Sequence, residues 1–483
     1  MFKTIKENNK YKNLINGNWL SSETNDYIEI KSVLDSSTVG FVPAMSQKEV
    51  DFVLDIAKTT QKKWRETSID ERANILYKAA SLLEEKVDVF VESMIHEIGK
   101  DRKSCKAEVI RTADFIRYTA DTVRTMTSET LTGDGFYGGS RKKTGIVKRE
   151  ALGVVLAISP FNYPINLAAS KIAPAIAIGN TVVLKPSTQG SICGLHLARI
   201  FEEAGVPTGV IQTVTGKGSQ IGDYIVSHKN IDFINFTGST NIGKRITSQC
   251  GMIPVMLELG GKDAGIVLED ADLDNAAKQI VSGAFSYSGQ RCTAIKRVLV
   301  MEEVHDVLVN KLLNEIKNVT VGSPLNGNFD VVPLINEQSA DFVMSLIDDA
   351  KEKGACVLYG DKREGNLIYP TLIKDVSLDM NVAWEEPFGP VLPIIKVKSY
   401  DEAIEIANRS EYGLQSSVFT KDINKAFNIA DKLEVGTVQI NNKTERGPDS
   451  FPFLGVKSSG IGVQGVRYSI EAMSRPKVTV LNI

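Results

Sequence analysis

One cysteine lies in a sequence context that suits a nucleophile. Cys292 follows the run Ser288-Gly-Gln-Arg291, which is typical of neither an apolar strand nor a helix face. The thiolate is the reactive form of cysteine, and a neighbouring cation such as Arg291 favours that form. No histidine lies close to Cys292 in the chain, so the local sequence indicates no Cys–His pair. Two interpretations stay open here: a nucleophile or a small buried hydrophobic residue.

Two further polar residues are placed where they could assist a nucleophile. Glu258 lies in the apolar run Leu257-Glu-Leu-Gly-Gly261, and burial would suit its carboxylate to general-base catalysis. Asn162 lies between Pro160 and Pro164, and a rigidly held amide is what an oxyanion hole needs. The alternatives are an outward-facing strand residue for Glu258 and an ordinary turn residue for Asn162.

One turn predicts contact with a phosphate. The run Phe236-Thr-Gly-Ser-Thr-Asn-Ile-Gly243 follows a predicted strand and opens a predicted helix, and amides at a helix N-terminus bind phosphate. Ser239 could add its hydroxyl. The run keeps Gly238 and Gly243 of the G-x-G-x-x-G pattern but lacks the middle glycine, so dinucleotide binding and a plain tight turn both stay open.

A lysine at another strand end predicts contact with the same ligand. Lys185 lies in Val182-Val-Leu-Lys-Pro-Ser-Thr-Gln189, where it could reach a ribose or a phosphate, although a solvated strand end is the simpler interpretation. Thr188 is neutral, and no carboxylate stands nearby to bind a ribose diol. A 2'-phosphate would therefore meet Lys185 and Thr188 without repulsion.

The chain that positions these residues is predicted to alternate between strands and helices. Helix-length segments separate four β-branched apolar runs, at 154–158, 181–184, 210–214 and 231–236. This alternation favours βαβ units and a parallel sheet. A second series of the same kind runs from residue 255 to about residue 435.

The segments outside these two series are predicted to cover or extend them. Ser46 and Ser68 each precede a glutamate by three residues, a capping-box pattern that predicts helices lying over a sheet. Residues 133–143 fit neither series. The tail 476–483 alternates like an edge strand, which needs a partner, and pairing with another subunit would supply one.

Composition and charge exclude several classes of protein. The 483 residues hold 56 Lys and Arg against 59 Asp and Glu, a net charge of −3, so no basic surface for nucleic acid is indicated. The five cysteines are scattered and form no C-x-x-C pair, which argues against disulfides and zinc. We therefore expect a reducing, cytoplasmic location.

Neither a secretory signal nor a membrane span is predicted. The first ten residues lack the apolar segment of a signal peptide. Residues 151–170 carry only apolar and neutral side chains, but Pro160 and Pro164 interrupt them, so we expect a buried strand, a turn and a helix rather than a bilayer span.

Six motifs occur in one order along the chain, and together they resemble the aldehyde dehydrogenase superfamily over essentially its whole length. They are Phe-Asn-Tyr-Pro, Leu-Lys-Pro-Ser, Phe-Thr-Gly-Ser-Thr, Leu-Glu-Leu-Gly-Gly-Lys, Gly-Gln-Arg-Cys and Glu385-Glu-Pro-Phe-Gly-Pro390. Within it the chain looks most like the non-phosphorylating glyceraldehyde-3-phosphate dehydrogenases, which oxidise the triose phosphate to 3-phosphoglycerate, generally with NADP.

This resemblance implies an α/β fold with two parallel-sheet domains and a small β domain for oligomerisation. The Rossmann-like, NADP-binding domain is expected at 1–120, 144–252 and 436–461, and the catalytic domain at 253–435. The oligomerisation domain is expected at 121–143 and 462–483. The family resemblance, with the unpaired terminal strand, also implies a homotetramer.

The resemblance further assigns roles to single residues. Cys292 matches the nucleophile, Glu258 the base that activates water, and Asn162 the oxyanion donor. The residues that match cofactor contacts are Pro160, Phe161, Lys185, Thr188, Gly218, Thr237, Gly238, Ser239, Glu386 and Phe388. Thr188 stands where NAD-preferring relatives tend to carry glutamate, so NADP is expected, with NAD as a weaker alternative.

A group of cationic and hydroxyl side chains matches the substrate site of the triose-phosphate members. The group is Arg111, Tyr163, Arg291, Thr293 and Arg446. Guanidinium groups suit a phosphate because their paired N–H donors match its oxygens and remain charged. From sequence alone, Arg117 or Arg124 could replace Arg111. The expected substrate is a small phosphorylated aldehyde; the alternatives are an acidic aldehyde such as succinic semialdehyde, or a silent dinucleotide-binding protein of the same fold.

Overall fold

Short strands and then four helices build the N-terminal part of the chain. The computed structural model describes residues 5–482. The strands are β1 (Lys6–Glu7), β2 (Lys10–Tyr11), β3 (Asn13–Ile15), β4 (Asn18–Leu20), β5 (Tyr27–Lys31) and β6 (Thr38–Pro43). The helices are α1 (Gln47–Trp64), α2 (Ile69–Glu85), α3 (Val87–Ile98) and α4 (Arg102–Thr125).

The two predicted helix starts are confirmed, one in full and one in part. Ser46 Oγ accepts a hydrogen bond from Glu49 N, and the Glu49 carboxylate accepts one from Ser46 N at 2.8 Å, which completes a capping box. At α2 only the first half of the device is present, because Ser68 Oγ accepts from Glu71 N at 3.1 Å. Each cap satisfies amides that the first turn of a helix leaves unpaired.

A six-stranded sheet contains the four predicted apolar runs. Along the chain follow β7 (Glu129–Thr132), β8 (Lys143–Ala151), β9 (Val154–Ser159), α5 (Asn166–Ile178), β10 (Thr181–Pro186), α6 (Ser191–Glu203), β11 (Ile211–Thr213), α7 (Gly218–Val226), β12 (Phe233–Thr237), α8 (Thr240–Gln249) and β13 (Val255–Glu258). The sheet order is β11-β10-β9-β12-β13-β25, where β25 is the later strand Gly460–Ile461, and the first five strands are parallel. The strand order reverses between β9 and β12, and open α/β sheets bind ligands at such a point.

A seven-stranded sheet forms the second half. Its part of the chain contains β14 (Ala264–Val267), α9 (Leu273–Phe285), β15 (Arg297–Met301), α10 (His305–Ile316), α11 (Glu337–Glu352), β16 (Cys356–Tyr359), β17 (Arg363–Glu364), β18 (Leu367–Ile368), β19 (Thr371–Lys374), β20 (Val391–Val397), α12 (Tyr400–Asn408), β21 (Tyr412–Gly413), β22 (Gln415–Phe419), α13 (Ile423–Lys432) and β23 (Thr437–Ile440). The order is β16-β19-β20-β15-β14-β22-β23, parallel except for β16.

A small sheet ends the chain. The last elements are β24 (Val456–Lys457), β25 (Gly460–Ile461), α14 (Val466–Ala472) and β26 (Ser474–Asn482). The tail strand β26 pairs antiparallel with β8 over nine residue pairs, from Ser474↔Ala151 to Asn482↔Lys143, and β7 pairs with the other edge of β8. The predicted tail strand therefore finds a partner within the chain and keeps one edge without a strand among residues 5–482; Ile483 lies outside the described residues.

The α/β class with two parallel-containing sheets is confirmed, and the sheet pairing differs from the predicted segment bounds in three places. β13 begins beyond 252 yet pairs with β12, and β23 lies within 436–461 yet pairs with β22 of the second sheet. The segment 144–252, which is expected to belong to the cofactor domain, includes most of β8, but β8 pairs within the small sheet. A strand belongs to the sheet in which its backbone pairs. An apolar run in the sequence predicts a strand but does not specify the strand beside which it lies.

The uncharged run 151–170 forms the buried strand, turn and helix that its prolines predict. It contains the end of β8, all of β9 and the start of α5, and α5 is buried along most of its length. Among residues 5–482, no helix combines the length and the apolar character that a bilayer crossing requires.

Candidate active site

A deep cavity opens at the point where the strand order of the first sheet reverses. Its volume is about 660 Å³, and it runs from the ends of β9 and β12 to Cys292. The predicted cofactor residues that line it are Pro160, Phe161, Lys185, Gly218, Thr237, Gly238, Ser239, Glu386 and Phe388. Thr188 is not among the lining residues, where its neighbour Ser187 stands instead. The structure thus brings nine of the ten predicted cofactor residues to one cavity.

Cys292 follows an irregular bend that directs it toward this cavity. Tyr287 and Ser288 adopt left-handed backbone conformations with φ of 52° and 56°, which side chains other than glycine rarely take. Ser288 Oγ donates to Val332 O at 2.6 Å and accepts from Val332 N at 2.7 Å, and Gln290 Oε1 accepts from Ile335 N at 2.9 Å. These contacts hold the bend in a conformation that costs about 1–3 kcal/mol for each left-handed residue.

The thiol of Cys292 lies beside the carboxylate of Glu258. Cys292 Sγ is 3.9 Å from Glu258 Oε1. Burial and then the charge of Glu258 raise the pKa of the Cys292 thiol to about 12, whereas the cations of Lys296 and Arg446 oppose that shift. The predicted nucleophile and base are therefore neighbours, and the thiol is protonated at neutral pH without ligands.

Glu258 ends β13 as a buried carboxylate with three hydrogen-bonding contacts. Arg446 Nη1 is 2.9 Å from both carboxylate oxygens, and Thr237 Oγ1 donates to Oε2 at 3.1 Å. The outward-facing alternative for Glu258 is thereby excluded, since the side chain is 3% exposed. The sequence motif around Glu258 does not indicate that Arg446 is its cationic partner.

Asn162 lines the same cavity as Cys292 and is held rigidly there. The side-chain Nδ2 of Asn162 donates to Gln290 O at 2.9 Å, and the main-chain carbonyl oxygen of Asn162 accepts from Lys100 Nζ at 3.1 Å. Lys100 pairs at 2.6 Å with Glu108, and both side chains are fully buried. One amide hydrogen of Asn162 is used by Gln290, which fixes the amide plane and leaves the second hydrogen as a donor.

Two arginines from the predicted substrate group meet at one aspartate. Arg111 Nε and Nη2 donate to the two carboxylate oxygens of Asp449 at 2.7 and 2.9 Å, and Arg111 Nη2 also donates to Arg446 O at 2.9 Å. Arg446 Nε lies 3.6 Å from Asp449 Oδ1. By contrast, Arg117 pairs with Glu84 and Arg124 with Asp70, both on α2. Arg111 is therefore the arginine of the three that lies at Arg446.

The other members of that group are placed less uniformly. Arg291 is buried, its Nη2 donates to Gly283 O, and its Nε has no hydrogen-bond partner among residues 5–482. Thr293 is buried, and its carbonyl accepts from Thr444 Oγ1 at 2.8 Å. The Tyr163 ring lies 3.6 Å from Lys100 Nζ. These three residues neighbour Cys292 or Asn162 in the chain, and within residues 5–482 none of them forms a hydrogen bond or an ion pair with Arg446 or Asp449.

A second cavity of about 350 Å³ lies on the side of Arg446. Arg446, Asp449, Gln415, Asn442 and Phe451 are among its lining residues. Since Arg446 contacts Glu258, and Glu258 neighbours Cys292, the second cavity adjoins the same reaction centre as the first.

Two buried lysines complete the centre, and the sequence motifs gave no signal for either. Lys171 Nζ donates to Thr237 Oγ1 at 2.7 Å, and burial lowers the pKa of Lys171 to about 7. Lys296 Nζ donates to Cys292 O and lies 2.8 Å from Glu386 Oε1. A lysine at the start of a strand or within a helix is ordinarily a surface residue, so only the tertiary structure distinguishes these two.

Comparisons with known proteins give matches over almost the whole chain. Residues 19–479 match the model of the Aldehyde dehydrogenase family. The chain is 57% identical over 474 residues to an NADP-dependent glyceraldehyde-3-phosphate dehydrogenase from Streptococcus equinus, covering 98% of this chain and 99% of that protein. A protein of the same name from Nicotiana plumbaginifolia is 49% identical over 485 residues, covering 100% and 97%.

A solved structure is similar over almost the whole chain. It is the NADP-dependent glyceraldehyde-3-phosphate dehydrogenase from Bacillus halodurans C-125 complexed with NADP, which is 56% identical with a TM-score of 0.96. The match covers 98% of this chain and 99% of that one.

Proposed function

The chain belongs to the aldehyde dehydrogenase family, and we propose that it oxidises D-glyceraldehyde 3-phosphate to 3-phosphoglycerate with reduction of NADP. The observation that carries the proposal is the placement of Cys292 Sγ 3.9 Å from Glu258 Oε1, at the inner end of the large cavity. Arg446 contacts the same Glu258 and lines the second cavity. A cysteine, a buried carboxylate and an arginine thus lie within one site, which supports their proposed roles as nucleophile, base and phosphate-binding cation.

The first cavity fits a cofactor with an additional phosphate. Lys185 is 7% exposed, lines the cavity, and has its pKa lowered to about 8 by burial, with no carboxylate contributing to that shift. A buried cation without an anionic protein partner suits an anionic ligand. Lys185 and Ser187 would hold the 2'-phosphate, Ser239 and the amides at the start of α8 the pyrophosphate, and Glu386 and Phe388 the nicotinamide end.

Cys292 begins the proposed reaction. Cys292 gives its thiol proton to solvent water, and the resulting thiolate attacks the aldehyde carbon to form a hemithioacetal, whose oxyanion accepts a hydrogen bond from Asn162 Nδ2. When bound, the nicotinamide supplies the acceptor for the hydride that leaves this carbon. Asn162 and Cys292 both line the cavity, so the reacting carbon is held at its inner end.

Glu258 completes the reaction by hydrolysis. The product of hydride loss is a thioester on Cys292, and Glu258 takes a proton from the water that attacks it, which releases the acid and the thiol. Water rather than inorganic phosphate is the nucleophile, so the product is 3-phosphoglycerate itself. The loss of the thioester makes the overall reaction effectively one-way.

Arg446 links substrate binding to the base. In the structure its Nη1 lies 2.9 Å from both oxygens of Glu258. A substrate phosphate competes for the same guanidinium, and each charge-assisted hydrogen bond to it contributes about 1.5–3 kcal/mol. A bound triose phosphate therefore draws Arg446 away from Glu258 and frees the carboxylate to accept a proton. Arg111 lies beside Arg446, because both side chains contact Asp449. Arg291, Tyr163 and Thr293 complete the proposed pocket nearer to Cys292.

We further propose that the protein works in the cytoplasm as a homotetramer and takes no nucleic acid or membrane as a partner. All five cysteines are unpaired, as a reducing compartment favours. The free edge of β26 supports the assembly, because an exposed strand edge can pair with a second copy of the chain.

A phosphate-free assay tests the proposed function. D-Glyceraldehyde 3-phosphate is supplied with NADP in a buffer without inorganic phosphate, and the absorbance of the reduced cofactor is followed beside assay of the product acid. We expect one NADPH for each 3-phosphoglycerate, and less efficient turnover with NAD or with succinic semialdehyde. No turnover, or turnover only after addition of phosphate or coenzyme A, would contradict the proposal.

A further inference from the structure

Lys296 connects the nucleophile to the wall of the cofactor cavity. Its Nζ donates to the main-chain carbonyl of Cys292 and lies 2.8 Å from Glu386 Oε1. The Lys296 side chain is 2% exposed and that of Glu386 16%, so the pair is shielded from solvent. A buried charge pair of this kind fixes geometry, because leaving either member alone is costly.

Both ends of this bridge are anchored to the protein framework. Lys296 N donates to Asp263 O at 2.9 Å, which ties the lysine to the residue that precedes β14. Glu386 Oε1 also accepts from Gly261 N at 3.1 Å. A Cβ at Gly260 would lie 2.0 Å from Glu386 Oε2, so the absence of a side chain at Gly260 allows the Glu386 carboxylate to approach.

We propose that Lys296 is a positioning residue for the oxidation step, which holds the main chain of Cys292 at a fixed distance from Glu386. The inference rests on the proposed function, in which Glu386 lies at the nicotinamide end of the cavity. Hydride transfer requires the reacting carbon on Cys292 to lie close to its acceptor, and a displacement of about 1 Å can reduce a rate on the order of 10²-fold. The bridge spans the two protein groups whose separation sets that distance.

The charge of Lys296 gives the bridge a second, measurable effect. The charged groups that face the Cys292 thiol are Glu258 and Asp263, which raise its pKa, and Lys296 and Arg446, which lower it. Loss of the lysine should therefore raise the pKa of the thiol and slow its alkylation at a given pH, even without cofactor. A lysine whose charge did not act on the thiol would give no such signature.

A neighbouring lysine offers a matched control. Lys262 is also buried, at 3% exposed, but its Nζ has no hydrogen-bond partner among residues 5–482. Substitution of Lys262 by methionine removes a buried lysine side chain from the same region without cutting the bridge. Differences between the two variants therefore report the bridge rather than the loss of a buried lysine.

The test compares Lys296→Met, Lys262→Met and the wild-type protein. The first turnover is followed with D-glyceraldehyde 3-phosphate carrying hydrogen or deuterium at C1, and iodoacetamide alkylation of the cofactor-free protein is followed against pH. In Lys296→Met we expect the first turnover to slow on the order of 10²-fold with a primary isotope effect, and the alkylation profile to move to higher pH. In Lys262→Met both readouts should stay close to wild type.

The remaining outcomes also decide the question. Lys296→Met with an unchanged first turnover, or the same changes in Lys262→Met, would overturn the inference. If Lys296→Met does not fold, Glu386→Gln cuts the bridge from its other end and should slow the first turnover without slowing alkylation; an unaltered first turnover in it would overturn the inference too. If the wild-type protein shows no turnover, the proposed function fails, while the alkylation profiles still test whether the Lys296 charge lies beside the thiol.

Discussion

The two cavities on either side of the Cys292–Glu258 pair differ in the partners that their charged groups already have. On the cofactor side, Lys185 is buried with no carboxylate among the causes of its lowered pKa. On the substrate side, Arg446 and Arg111 are already occupied by Glu258 and Asp449. The cofactor side is therefore prepared for an anion, whereas on the substrate side an anion must displace the protein's own carboxylates. Under the proposed function, one ligand would bind at a preformed site, and the other would switch on a catalytic group as it binds.

The largest effect on turnover is expected from a change at Cys292. Cys292→Ala removes the nucleophile, and loss of such a group lowers kcat by about four orders of magnitude or more. The matched control is Cys356→Ala, which changes an exposed cysteine. NADPH formation from the triose phosphate is the measurement for both. Appreciable turnover in Cys292→Ala would mean that the thiol is not the reacting group.

The next effect separates oxidation from hydrolysis. Glu258→Gln keeps the shape of the side chain but removes the base, so we expect one rapid equivalent of NADPH per site and then steady turnover reduced by about 10²–10⁴-fold. Stopped-flow absorbance measures both phases. Glu411→Gln, at an exposed carboxylate, serves as the control. A variant that loses the rapid phase and the steady phase equally would contradict the role of Glu258 in hydrolysis.

A smaller effect tests the substrate side alone. Arg446→Gln should lower kcat/KM for the triose phosphate relative to unphosphorylated D-glyceraldehyde by about tenfold to a hundredfold, the value of one charged hydrogen bond. The ratio of the two kcat/KM values is the informative quantity, because Arg446→Gln also leaves Glu258 without its partner, and that loss affects both substrates alike. Arg117→Gln removes an arginine that pairs with Glu84 instead, and it should leave the ratio unchanged. Equal losses on both aldehydes in Arg446→Gln would argue against a phosphate contact.

The effect of pH tests the cofactor side. Burial lowers the pKa of Lys185 to about 8, so its cation is present below that pH and is lost as the pH rises through it. The affinity for NADP should accordingly fall above about pH 8, more steeply than the affinity for NAD, because only NADP carries the 2'-phosphate. Titrations followed by protein fluorescence measure both constants. Lys185→Met should bind NADP about tenfold more weakly and without this pH dependence; an unchanged profile would assign the phosphate to other residues.

Residues within local motifs could be predicted from the sequence, and residues joined by distant contacts could not. Cys292, Glu258 and Asn162 each lie in a run whose composition already indicates an unusual environment, and the structure brings them together. Asp449, by contrast, meets Arg111 across 338 residues of sequence. Lys296 and Lys171 are single lysines in otherwise ordinary elements. Their importance comes from burial beside the site, which only the packed structure supplies.

The same reasoning explains the fold. The apolar runs and helix caps are local signals, so β9, β10, β12 and the start of α1 lie where the sequence predicts them. Sheet membership is not local: β13 and β23 follow their neighbours in space rather than the predicted segment bounds. The position of Thr188 could not be predicted for a similar reason. The turn after β10 places Ser187 rather than Thr188 at the cavity, and the sequence does not indicate which of the two lines it.

The competition for Arg446 can be measured directly with glycerol 3-phosphate, which carries the phosphate but no aldehyde. Its dissociation constant is determined by calorimetry for the wild-type protein and for Glu258→Gln. Because the glutamine no longer competes as an anion, we expect the variant to bind glycerol 3-phosphate more tightly, on the order of tenfold, with unchanged affinity for NADP. Equal or weaker binding of glycerol 3-phosphate by Glu258→Gln would contradict the exchange of Arg446 between the base and the substrate.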